Sequence, residues 1–247
     1  MNRSNSTPTA GSATAWADDR RPLPGLAPIL FVALYFGFNV ARSSGWVPDS
    51  WSLMPVVETA WLNFLVVVAL VIWLRWRQIP LARIGLVPFP ALRWLLPVAF
   101  ATMAVDAFAT SLASSLASGL FAESGPVARF DDVPGNLPLL LALLPAVWLL
   151  GGFGEEIFFR GFLLTLVAQV LGGSRAAWIA AVFLQGAVFG LVHSYQGPAQ
   201  AITIGIGGIV YGGAFVLAGR NLWPVIVAHG LNDTLGLIFL YSGVIEL

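Results

Sequence analysis

Residues 137–171 read LPLLLALLPAVWLLGGFGEEIFFRGFLLTLVAQVL, and this stretch decides the fold. It is apolar along nearly its whole length, and a membrane-spanning helix takes about 20 such residues. Near its middle stand Glu155, Glu156 and Arg160. An ionisable side chain at the centre of a bilayer costs roughly 2.5–3.5 kcal/mol on insertion scales, so such groups are rarely kept there without a use. Gly151, Gly152 and Gly154 come just before them. The stretch is therefore either one long tilted helix or two elements, 137–153 and 155–171, with a hinge between.

Further apolar spans flank it at 25–41, 57–74, 94–118, 176–193, 200–218 and 222–243. With 58% hydrophobic and 10% charged residues and a mean hydropathy of +0.84, the 247-residue chain is expected to be an integral, multi-pass membrane protein. The fold class that follows is all-α, a polytopic transmembrane bundle of seven to eight helices around a polar intramembrane cavity. The formal net charge is zero, which gives no pull toward nucleic acid. No phosphate-binding loop, no Gly-x-Ser-x-Gly and no His-Glu-x-x-His is present, so nucleotide, serine hydrolase and zincin chemistry lack their signatures. Cysteine is absent, which excludes disulfides and thiolate catalysis.

Three regions are expected. Residues 1–23 are small and polar, without the pattern of a cleavable signal peptide, and are expected to form a disordered cytoplasmic tail. Residues 24–134 hold the first transmembrane helices and their loops, and residues 135–243 a catalytic core. Arg75, Arg77, Arg83 and Arg93 make the densest positive cluster, and the positive-inside rule puts them in the cytoplasm. The N-terminus then lies inside, loops 42–56 and 119–136 outside, and Arg175 and Arg220 mark later cytoplasmic turns. A bacterial cytoplasmic membrane is the expected location. Within 75–93, Leu81, Ile84, Leu86 and Val87 predict a short amphipathic helix at the interface, limited by Pro80, Pro88 and Pro90.

Both histidines fall inside apolar spans. Phe189 and His193 are four residues apart, as are His229 and Asp233, and each pair shares a helix face. Asp233 can hydrogen-bond the His229 ring and fix its tautomer, with Asn232 one step round the helix. Glu156 and Arg160 form an i, i+4 pair with the acid first, the favourable orientation. Glu155 points elsewhere and is the freer carboxylate. Each cluster alone is as well explained by a satisfied buried pair. Together they predict one polar site on three helices, with the chemistry of peptide hydrolysis by activated water: a carboxylate to take the proton, an imidazole to position the water, and donors for the oxyanion. Asp106 is a further intramembrane acid with no partner close in sequence, and it either lines the same cavity or marks a different pathway.

The order Glu-Glu-x-x-x-Arg (Glu155, Glu156, Arg160), Phe-x-x-x-His (Phe189, His193) and His-x-x-x-Asn/Asp (His229, Asp233) resembles the triple motif of the CPBP family. Its members are CAAX-prenyl endopeptidases of the Ras-converting type together with bacteriocin-processing and abortive-infection-like relatives. The resemblance covers roughly residues 135–243. It implies an intramembrane endopeptidase with a cavity open to the cytosol, acting on a peptide or membrane-associated protein substrate within the lipid bilayer. By the same resemblance Glu155 is the general base, His193 its partner on the water, His229 and Asp233 the oxyanion pair, and Glu156 and Arg160 supports. Phe189 and Asn232 join the supports. An ionised Asp233 cannot donate to an oxyanion, so it would instead orient His229 and leave Asn232 as donor.

No cofactor is required by this scheme. Zinc is the alternative, with Glu155, His193 and His229 as the ligands in number and type that the metal accepts. Two other functions fit intramembrane acids and histidines: a proton-coupled transporter, which an internal repeat would favour and none is found, and a non-catalytic membrane scaffold or immunity protein.

Overall fold

The computed structural model describes residues 23, 26–43, 46, 58–89, 91–121 and 131–244. The expectations for the tail before Leu23 and for the outer loop containing Glu123 and Arg129 lie outside these residues. Every regular element described is helical. Among the described residues seven main helices follow one another: α1 (Ala27–Ser43), α2 (Glu58–Trp76), α3 (Leu95–Ser118), α4 (Leu137–Val170), α5 (Arg175–Val192), α6 (Pro198–Leu217) and α7 (Trp223–Tyr241). Five of them, α3 to α7, are long and apolar enough to cross a membrane.

The stretch at 137–171 resolves to a single helix. Asn136 starts α4 by accepting from the Leu139 amide (3.2 Å), and Pro138 sits in the first turn, where its missing N–H costs nothing. The helix runs for 34 residues, more than the about 20 that a membrane span takes. From Val147 to Leu164 it takes the wider i→i+5 winding of a π-helix, a form that recurs at functional sites. The glycines do not make a hinge. A side chain at Gly152 would lie 3.3–3.4 Å from the Ile226 carbonyl and the Gly230 backbone, so the glycine is what lets α7 lie directly on α4.

Small residues bring α5 and α6 equally close. Gly186 and Gly190 on α5 face Gly205 and Gly208 on α6, and a side chain at Gly190 would run into the Ala201 carbonyl. Ser174 caps α5 by accepting from the Ala177 amide (3.2 Å). The helix ends at His193, and Gly197 (φ +96°) turns the chain into Pro198 at the start of α6. α3 packs along α6 and α7. α1 lies behind α4, where Tyr35 stacks on Phe158 with ring centroids 3.8 Å apart and Phe31 meets Phe162 edge-on.

The arginine-bearing end of the bundle is closed by residues 81–88. The expected interfacial helix is instead one 3-10 turn, Leu81–Ile84, drawn inward so that Ile84 is fully buried. Two features hold it there. Gly161 on α4 leaves room for the Ile84 carbonyl, and the α6–α7 turn bonds to the segment: Leu222 N–H donates to the Gly85 carbonyl (3.0 Å) and Asn221 Nδ2 to the Val87 carbonyl (3.2 Å).

Candidate active site

Glu156 is the hub of the buried polar groups. It is wholly inaccessible, and its Oε1 accepts both from Arg160 Nη1 (2.8 Å) and from His229 Nδ1 (2.7 Å). Arg160, 1% exposed, lies between two aromatic faces, with its guanidinium carbon 4.4 Å from the centre of the Phe189 ring and 5.3 Å from that of Tyr211. A buried guanidinium is tolerable only when paired, and here a carboxylate and two π-faces replace its water.

His229 is therefore held by Glu156 on α4, from the far side of the helix interface, a partner 73 positions away that spacing along α7 could not reveal. Asp233 takes the looser position, its Oδ2 3.5 Å from His229 Nε2. Gly151 makes room for this pair: a side chain there would lie 2.7 Å from Asp233 Oδ2 and 3.5 Å from His229 Nε2. Next to Asp233 on α7, Thr234 accepts from Trp148 Nε1 of α4 (3.0 Å), fixing the register of the two helices beside the site.

His193 sits at the C-terminal end of α5, and its Nδ1 is 2.7 Å from the carbonyl oxygen of Phe189. A carbonyl only accepts, so Nδ1 carries the hydrogen and a neutral ring presents its lone pair at Nε2. Phe189 thus serves through its backbone on His193 and through its ring on Arg160.

A cavity of about 480 Å³ gathers these groups. Glu155, His193, His229, Asn232 and Asp233 all line it, while Glu156 stays behind the wall. The Glu155 carboxylate, half-buried, has no hydrogen bond or ion pair among the described residues. The two adjacent glutamates differ as their helical positions require: one faces the cavity, the other the α4–α7 seam.

Asp106 of α3 and Tyr211 of α6 complete the opposite wall. Asp106 Oδ1 and the Tyr211 hydroxyl are buried without a hydrogen-bond partner among the described residues, and Gly207 gives Asp106 its space, since a side chain there would lie 2.9 Å from Oδ1. Sequence reasoning left Asp106 open between this cavity and a separate pathway, and missed Tyr211. The signal for Tyr211 was a lone aromatic hydroxyl one turn beyond Gly207 in a glycine-rich span. As the side chains stand, no three His, Asp or Glu groups among the described residues come together as metal ligands. Glu155, His193 and His229 do not form a zinc triad in this arrangement, and His229 Nδ1 is already engaged by Glu156.

No curated protein and no solved structure matches the chain. A family model does, and it spans the Glu-Glu-x-x-x-Arg, Phe-x-x-x-His and His-x-x-x-Asp motifs together. Over residues 137–235, from the start of α4 to just past Asp233, the chain is similar to the type II CAAX prenyl endopeptidase Rce1-like family.

Proposed function

We propose that this protein is an intramembrane endopeptidase that hydrolyses a peptide bond in a hydrophobic, lipidated or membrane-associated substrate with water activated by Glu155 and His193. The family match supports a CAAX-type intramembrane protease in general terms. The observation that carries the finer reading is the meeting of Glu155, His193, His229 and Asn232 on one cavity wall, with His229 anchored from behind by the Glu156–Arg160 pair.

In this mechanism a water molecule lies between Glu155 and Nε2 of His193. Glu155 takes its proton as the oxygen attacks the substrate carbonyl carbon, and the carbonyl π-electrons move onto oxygen. His229 donates through Nε2–H, and the Asn232 amide supplies a second hydrogen bond to the oxyanion. With Nδ1–H on Glu156 and Nε2–H directed to the cavity, His229 is an imidazolium balanced by two flanking carboxylates. Asp233 then orients the ring rather than donating. Collapse of the tetrahedral intermediate breaks the C–N bond, and the proton held by Glu155 passes to the leaving amine. Every atom is accounted for without a metal-bound step.

Purified protein in detergent, offered a library of hydrophobic and lipidated peptides, tests this directly. Cleavage by wild type, lost in Glu155→Gln and unaffected by a chelator, is the expected outcome. Loss on chelation would move the water onto a metal. Absence of cleavage with Glu155→Gln functioning normally in its host would leave a non-catalytic scaffold.

A further inference from the structure

We propose that Asp106 and Tyr211 form a specificity subsite for a basic side chain, so that the peptide cut carries a lysine or arginine close to the scissile bond. The cutting rests on the protease reading above; the recognition of a cation does not.

Asp106 stands at the middle of α3, and a carboxyl group at that depth is costly unless something pairs with it. It is 7% exposed and lines the cavity, yet Oδ1 has no hydrogen-bond partner among the described residues. The Thr110 hydroxyl, one turn along α3, donates to the backbone carbonyl of Asp106 (2.7 Å) rather than to its carboxylate. Tyr211 of α6, 5% exposed, brings a second buried oxygen without a partner among the described residues to the same wall.

The cations of the cavity are engaged elsewhere. Arg160 is bonded to Glu156, and His229 lies between Glu156 and Asp233. His193 is neutral, with its Nδ1–H on the Phe189 carbonyl. Glu155 faces the attacking water. Among the described residues, Asp106 is left with no cation of the protein's own to face.

A lysine ammonium supplies what the two groups lack: a charge for the Asp106 carboxylate and N–H donors for both oxygens. Its stem has apolar company, since Ile204, Leu237 and Leu240 line the same cavity. Gly207 keeps the approach open, because a side chain there would lie 2.9 Å from Asp106 Oδ1 and 3.4 Å from Thr110. One cavity of about 480 Å³ holds both Asp106 and Glu155, so the basic residue lies within a few positions of the bond under attack. An acidic side chain at that position would meet a like charge and be rejected.

The test uses full-length protein in detergent and fluorogenic hydrophobic peptides in which one lysine is walked along the sequence. Each is paired with a norleucine counterpart, which keeps the stem and drops the charge. At one position lysine is expected to raise kcat/KM over norleucine by roughly tenfold or more, the worth of a hydrogen bond to a charged group. In Asp106→Asn the ratio is expected to fall to about one. Taken within each protein, the ratio cancels any loss common to both peptides. Tyr211→Phe removes a hydroxyl and keeps the ring face on Arg160, so it serves if Asp106→Asn does not fold. It is expected to lower the ratio by roughly threefold. No lysine preference in wild type, or an undiminished preference in either variant, overturns the subsite. Binding of the same peptides, labelled and read by fluorescence anisotropy, needs no turnover. If nothing is cut, yet the lysine peptide binds the tighter and loses that advantage in Asp106→Asn, the protease reading falls alone. Cleavage without a lysine preference would sink only the subsite.

Discussion

Glu155 and Glu156 are neighbours in sequence with opposite circumstances, and the difference predicts opposite consequences of the same chemical change. Glu156 neutralises Arg160 and holds His229 through one oxygen, with no water to replace it. Removing one partner of a buried ion pair leaves the other charge uncompensated, at a cost of about 3–5 kcal/mol. Glu156→Gln is expected to lower thermal stability by that order and to lose activity as a result. Glu155 has no ion pair to break among the described residues, so Glu155→Gln is expected to stay within about 0.5 kcal/mol of wild type while cleavage falls by roughly 100-fold or more, the contribution of a positioned general base. Thermal unfolding in detergent beside cleavage rates separates the two, and equal destabilisation by both changes would contradict the division of labour. The i, i+4 rule made Glu156–Arg160 legible from sequence. The same rule offered Asp233 as the partner of His229, because spacing along one helix says nothing of what a neighbouring helix brings to the other ring nitrogen.

At the scale of elements, glycine is where sequence and structure part most clearly. Gly151, Gly152 and Gly154 read equally well as a hinge or as a close approach, since both need a residue without a side chain. What decides between them is the partner helix, which local pattern does not contain. Gly152 lies against the backbone of α7, and Gly190 against that of α6. The span limits were legible because hydropathy alone sets them; the inward path of 81–88 was not, because it depends on Gly161 and Asn221 far along the chain. The packing argument predicts a graded outcome. Gly190→Ala must push α5 from α6 just one turn before His193, and overpacking of this kind costs typically 1–3 kcal/mol. Gly213 on α6 has nothing within 4 Å of the added carbon among the described residues, so Gly213→Ala is expected to be neutral or to stabilise by about 0.5–1 kcal/mol. Melting temperatures of the two variants check this, and a reversed order would remove the close approach of α5 and α6 from the account.

For the whole molecule, the family match begins at residue 137, but the site it marks does not close without what precedes it. Asp106 and Thr110 of α3 form one wall of the cavity, and Tyr35 of α1 stacks on Phe158, two residues from Glu156 along α4. The boundary near residue 134 expected from sequence divides motif-bearing from motif-free helices; it does not divide two cores, since one hydrophobic cluster runs from Phe31 and Leu70 through Phe159 to Ile226. Helices inserted separately can still find each other in a bilayer, where packing rather than the hydrophobic effect drives their association. A chain cut in the loop between α3 and α4 is therefore expected to behave as follows. Residues 135–247 expressed alone insert but cleave nothing, having lost the α3 wall and the support behind α4. Co-expression with residues 1–134 restores cleavage and allows the two pieces to be purified together through a tag on either one. Full activity of the C-terminal piece alone would mean that α1 to α3 are an appendage, and the cavity would then have to be rebuilt from α4 to α7 without Asp106.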